Sequence, residues 1–147
     1  MSFETALKYT LQFEGGYVND PLDRGGETNK GITKVVYDTY RKSKSLPIQS
    51  VKLISNEEVK EIYYKNYWLA SGCDKLDEKL AILVFDFSAN SGPARAKRYL
   101  TLTKDPIKYL NLRADFFKKI VQNNPSQKKF LKGWLNRIEG LRKIIGN

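Results

Sequence analysis

Phe13-Glu14-Gly15-Gly16-Tyr17-Val18-Asn19-Asp20-Pro21-Leu22-Asp23-Arg24-Gly25-Gly26-Glu27-Thr28-Asn29-Lys30-Gly31-Ile32-Thr33 is the stretch where an amphipathic helix gives way to a polar ribbon. Upstream of it Phe3, Leu7 and Leu11 recur at helical spacing and Ser2 can act as a cap, which predicts a first helix ended by Gly15-Gly16. Glu14 continues the face of Leu7 and Leu11. Residues 17–31 are rich in Gly, Asp, Asn and Pro with little apolar periodicity, the pattern of turns or a short two- or three-stranded ribbon.

Beyond this stretch the chain reads as helices, with Thr33 capping the next one. Ser55-Asn56-Glu57-Glu58 is a capping box, and Val59, Ile62, Tyr63 and Tyr67 follow at helical spacing, so a helix is predicted over about 56–70 with Gly72 at its end. The run Leu80-Ala81-Ile82-Leu83-Val84-Phe85, with Phe87 after it, is apolar almost all round and suits a central helix covered by neighbours. Gly92-Pro93 resets the chain, and Asp105-Pro106 and Asn124-Pro125 each put a capping residue before a proline at the first helical position. In the last helix Phe130, Trp134, Ile138, Leu141 and Ile145 form an apolar stripe, while Lys128, Lys129, Lys132, Arg137, Arg142 and Lys143 supply most of the other faces. The expected fold is mainly α, a helical bundle with a short polar β-ribbon or loop after the first helix.

A length of 147 residues suits one domain and can bury roughly two-thirds of the surface that the unfolded chain exposes. Apolar residues make up 41% and charged residues 29%, a globular composition. Cys73 is the single cysteine and there is no histidine, so an internal disulfide, the usual zinc sites and Ser-His or Cys-His catalysis are excluded. No cofactor is expected, and acid–base chemistry falls to carboxylates, tyrosines or lysines. The N-terminus lacks the basic start and apolar run of a signal peptide, from which synthesis in a bacterial cytoplasm is expected.

The net charge of +10 is unevenly placed. Residues 1–92 hold 12 Lys/Arg against 13 Asp/Glu, whereas residues 93–147 hold 14 against 3. Such a surface favours a polyanion, whether nucleic acid, an anionic membrane or the acidic bacterial wall, or else serves solubility alone.

A carboxyl group on the apolar face of a helix near its C-terminus, where Glu14 falls, meets desolvation and the negative end of the helix dipole, both of which oppose ionisation. Hydrolysis of a glycosidic bond needs such a proton donor, together with a second carboxylate in a wetter place. Asp20 and Asp23, in the polar segment after Glu14, are the candidates.

The stretch from Glu14-Gly15-Gly16-Tyr17 to Gly31-Ile32-Thr33 resembles the signature of glycoside hydrolase family 108, whose members are N-acetylmuramidases with a catalytic glutamate in an EGGY motif. The resemblance continues through Tyr64, Tyr67-Trp68, Phe85-Asp86-Phe87, Asn90-Ser91-Gly92-Pro93, Asn124-Pro125-Ser126-Gln127 and Gly133-Trp134-Leu135. It implies an α+β lysozyme-like fold, with Glu14 as catalytic acid. The order of groups is also similar to that of phage lysozymes, which implies that Asp23 positions or activates water and that the Thr28 hydroxyl helps to hold it. Asp20 is the fallback for Asp23, and plain turn chemistry is the alternative for both Asp23 and Thr28. Tyr64, Tyr67 and Trp68 present aromatic faces to sugar rings or else pack in the core. Asn90 meets an acetamido group or else ties helices together.

Many relatives carry a longer insert with a VDGxxGP-type motif after the NSGP segment. Here Leu100 to Asn111 runs straight into the next helix. The chain is therefore read as one catalytic domain, 1–147, with 1–92 its catalytic part and 93–147 basic helices resembling a shortened peptidoglycan-binding type 3 region. The expected partner is bacterial peptidoglycan, with electrostatic contact between the basic helices and an anionic wall or membrane; no nucleic acid is expected, and the protein is expected to be a monomer. The implied role is that of a phage endolysin released by a holin or another export route. A lytic transglycosylase and a basic nucleic-acid-binding module are the alternatives.

Overall fold

A computed structural model of the protein describes residues 2–19 and 26–146. Asp20 and Asp23 lie outside the described residues, as does the side chain of Ser2 expected to cap the first helix. Helix α1 (Ser2–Phe13) buries Phe3, Ala6, Leu7 and Thr10. The helix stops one residue before Glu14, which begins the turn into the sheet.

Strands β1 (Val18–Asn19), β2 (Glu27–Asn29) and β3 (Ile32–Thr33) form an antiparallel sheet in chain order, the three-stranded form of the expected ribbon. Thr28 pairs with Val18 on one side and Thr33 on the other. Lys30 and Gly31, both at positive φ, make the two-residue turn from β2 to β3, the backbone that a tight hairpin requires. Glu27 braces the sheet, accepting from the Tyr17 hydroxyl at 2.5 Å, the Ser50 hydroxyl at 2.9 Å and the Val51 amide at 3.2 Å. These bonds hold its carboxyl below the usual glutamate range, the Tyr17 hydroxyl most of all.

Thr33 caps α2 (Lys34–Ser43) by accepting from the Val36 amide. Helix α3 (Asn56–Tyr63) opens on the predicted capping box, Ser55 and Glu58 each bonding to the other's backbone. It continues as a π-helical segment, Tyr64–Leu69. The wider turn is tied to its surroundings through the Tyr67 carbonyl, which accepts from the Ser71 amide, the Ser71 hydroxyl and the Ser88 hydroxyl.

Helix α4 (Glu78–Ser91) is the central element, with every residue from Leu80 to Ser88 buried. Around it lie α1, α5 (Pro93–Leu100) and α6 (Pro106–Asn123). Asp105 caps α6, accepting from the Lys108 amide at 2.9 Å. Pro125 opens a short 3-10 turn, Pro125–Gln127, and α7 (Lys128–Gly146) begins only after it. Phe117 of α6 stacks on Trp134 of α7 at 5.0 Å. The apolar stripe of α7 is buried at Ile138, Leu141 and Ile145, whereas Phe130 is 45% exposed. One expectation for α7 is corrected: Arg137 points inward, because a buried carboxylate on α4 draws it there. Among the described residues no helix is long and apolar enough to cross a membrane.

Candidate active site

Glu14 leaves the end of α1 with its side chain 19% exposed, and its Oε1 lies 3.1 Å from Nη2 of Arg137 on α7. Across from it is the β2–β3 turn: a Cβ added to Gly31 would come within 3.0 Å of the Glu14 carboxyl and would collide with the Tyr63 hydroxyl. Tyr63 fastens that turn to α3 by donating to the Lys30 carbonyl at 2.7 Å. Burial, and then the neighbouring Glu14 charge, raise the pKa of Tyr63 and likewise of Tyr67. Both phenols stay neutral at ordinary pH and surround the carboxylate with polar but uncharged groups.

Arg137 is held from behind. Its Nε and Nη2 donate to the two oxygens of Asp86, each at 2.9 Å, in a bidentate pair. Asp86 is fully buried on α4 and also accepts from Arg113 Nη1 at 2.7 Å and from the Thr10 hydroxyl at 2.8 Å. Burial alone would push the Asp86 carboxyl up; the two guanidiniums overcome it and hold the pKa at about 2. Four elements, α1, α4, α6 and α7, thus meet in one chain of charges that ends at Glu14.

Glu14 forms part of the wall of a groove of about 370 Å³ between α1 and α3, with an apolar lining of Leu7, Leu11 and Val59 and polar groups from Lys30, Asn56 and Lys60. A larger groove of about 650 Å³ lies farther along the same two helices, lined by Phe3, Tyr64 and Trp68 among others, and does not include Glu14. Lys60 belongs to both. Of these two only the smaller includes Glu14, whereas the acidic residues of the larger are Glu4, Glu57, Glu61 and Asp74.

The sequence candidates fall in different places. Thr28 lies on β2, where strand alternation turns it to the face opposite Glu27 and Asn29, the two that bind the 50–52 segment. Tyr67 is beside Glu14, and Tyr64 is 42% exposed on the larger groove. Trp68 is only 5% exposed, edge-on to Phe3 and Phe85, and it also lines the larger groove. The Asn90 side-chain carbonyl accepts from Arg113 at 3.2 Å and from Ser91 at 3.0 Å.

Sequence reading missed Arg137, Asp86, Arg113 and Tyr63 as site residues. A signal existed for three of them. Asp86 is a charge inside an otherwise apolar buried run, which demands a partner. Arg137 shares the face of Trp134 and Leu141, and Arg113 that of Tyr109 and Phe117, at helical spacings of three and four.

The arrangement is that of the lysozyme-like α+β fold, with a glutamate placed where the first helix meets the small sheet. Residues 7–92 match the family model Glycosyl hydrolase 108, and the chain belongs to that family. Among solved structures, that of Brucella abortus SagA is similar over 97% of this chain and 92% of that one, at 26% identity and a TM-score of 0.78. No curated protein matches the sequence. Membership makes the protein a glycosidase acting on peptidoglycan, a hydrolase of lysozyme type.

Proposed function

We propose that the protein is an N-acetylmuramidase in which Glu14 protonates the glycosidic oxygen as the bond between N-acetylmuramic acid and N-acetylglucosamine breaks. The observation that carries this reading is the Glu14 carboxyl at the groove wall, fixed by Arg137 at 3.1 Å and by the Gly31 turn. Water adds at the anomeric carbon and gives its proton to a second carboxylate, Asp23 or, failing it, Asp20, with the Thr28 hydroxyl holding the water. Tyr67 borders the reacting sugar and Tyr64 offers an aromatic face farther along; Trp68 and Asn90 support these groups from within the core. The whole chain acts as one catalytic unit, because Arg137 reaches Glu14 from beyond the part that the family model matches. The role is that of a phage endolysin released to the wall by a holin or another export route, with the basic helices drawn to the anionic wall or membrane.

Zymography on purified peptidoglycan tests this directly. Glu14→Gln keeps the shape of the side chain without its transferable proton, and cleavage is expected to fall by about 100- to 10,000-fold at an unchanged circular dichroism spectrum. Near-normal cleavage by that variant removes Glu14 from the reaction. Mass spectrometry of muropeptides released by the unaltered protein is expected to show reducing muramic acid ends; 1,6-anhydro ends would make it a transglycosylase instead.

A further inference from the structure

We propose that Asp86 and Arg113, both fully buried and out of reach of any glycan, are positioning residues that set the protonation balance of Glu14 through Arg137. The inference rests on Glu14 being the proton donor. Arg137 alone satisfies both oxygens of Asp86 with two bonds of 2.9 Å. Arg113 nevertheless adds a second cation to the same carboxylate at 2.7 Å. It does so with no solvent exposure, with its Nε lacking a hydrogen-bond partner, and with its guanidinium over the rings of Phe87 at 4.9 Å and Phe117 at 5.4 Å. Burying a surplus guanidinium is costly, and a carboxylate that needed only a structural partner would not require it.

The surplus has a consequence at Glu14. Asp86, Arg113 and Arg137 together carry one net positive charge, which an ionised Glu14 neutralises and a protonated Glu14 leaves uncompensated. The donor form of Glu14 therefore depends on charges two side chains away. Other groups that face Glu14 are Tyr63 and Tyr67 from α3 and its π-helical extension, Lys30 from the β2–β3 turn and Lys60 from α3 across the groove. From α1, Thr10 joins the network by donating to Asp86. Among the described residues facing Glu14 or its network, only Asp86 and Arg113 are both charged and shut away from solvent and substrate, so these two can be altered without touching the groove.

The test is the pH profile of cleavage of a soluble glycan fragment of peptidoglycan. Asp86→Asn removes a negative charge, favours the ionised form of Glu14 and is expected to move the alkaline limb of kcat to lower pH. Arg113→Met removes a positive charge and is expected to move it to higher pH, by about half a pH unit or more. The double variant is expected to return the limb toward its starting place, with KM unchanged throughout. Folded single variants whose limbs stay put, or move in the same direction, overturn the proposal. Should Asp86→Asn fail to fold, Arg113→Met against Arg113→Lys decides it: the methionine is expected to move the limb, the lysine to leave it, and an unmoved limb in the methionine variant sinks the idea. Cleavage surviving in Glu14→Gln would instead defeat the underlying assignment of the acid, so the two failures are distinct.

Discussion

Gly31 shows how little room the Glu14 carboxyl has. A methyl group there would press on the carboxyl at 3.0 Å and on the Tyr63 hydroxyl, and φ of +79° is itself unfavourable for an L side chain. Gly31→Ala is expected to lower stability by about 1–2 kcal/mol and, by displacing the acid, to cut turnover about tenfold to a hundredfold. Thermal unfolding and cleavage rates measured on one preparation check both; full turnover in the folded variant would mean that the Glu14 position is not critical. At this scale the sequence exposes Glu14, because a helix stripe that runs into Gly-Gly singles it out. It hides Arg137, because a lysine-rich helix makes an inward arginine look like one more solvent charge, and only the depth of Asp86 in α4 separates it from the rest.

Among the elements, the π-helical extension of α3 carries Tyr67 beside Glu14 while sending Trp68 into the core. A single α-helix over 56–70 is what the spacing predicts, and the boundaries are nearly right. The change of winding within it leaves no mark in a periodicity of apolar residues, because it depends on what the Tyr67 carbonyl finds to bond with. That carbonyl keeps the Ser71 amide and hydroxyl even without Ser88. Ser88→Ala is accordingly expected to cost about 1 kcal/mol of stability with kcat within about twofold of the parent. A large loss of kcat at little loss of stability would assign Ser88 to the site itself. Caps, by contrast, are local, and the Thr33, Ser55 and Asp105 caps are all readable in the sequence for that reason.

Over the whole molecule the charge divides at about residue 92, with 14 Lys/Arg against 3 Asp/Glu beyond it. Two of those cations, Arg113 and Arg137, are spent inside the protein. Lys128, Lys129, Lys132 and Lys143 are exposed along α7. Attraction between such charges and an anionic wall is screened over about 8 Å at physiological ionic strength and should fade as salt rises. Changing these four lysines to glutamine is expected to slow lysis of whole cells, most of all at low salt, while cleavage of a short neutral chitooligosaccharide changes little. Equal losses on both substrates would place the basic face in the groove. Composition makes the charge asymmetry plain, but which of its members turn inward is decided by tertiary pairing with α4, and that is absent from any one helix.

The contact between Glu14 and Arg137 joins the end of α1 to α7, more than a hundred residues later in the chain. During synthesis, at about 5–20 residues per second, α1 and the sheet leave the ribosome well before α7 exists. Until α7 docks, Glu14 and Asp86 both lack Arg137, and the Phe13 ring lacks Gly140, at which an added Cβ would come within 3.1 Å of it. On the proposed reading of Glu14 a half-made chain is thus a latent one, since the charges that surround the acid come together only with α7.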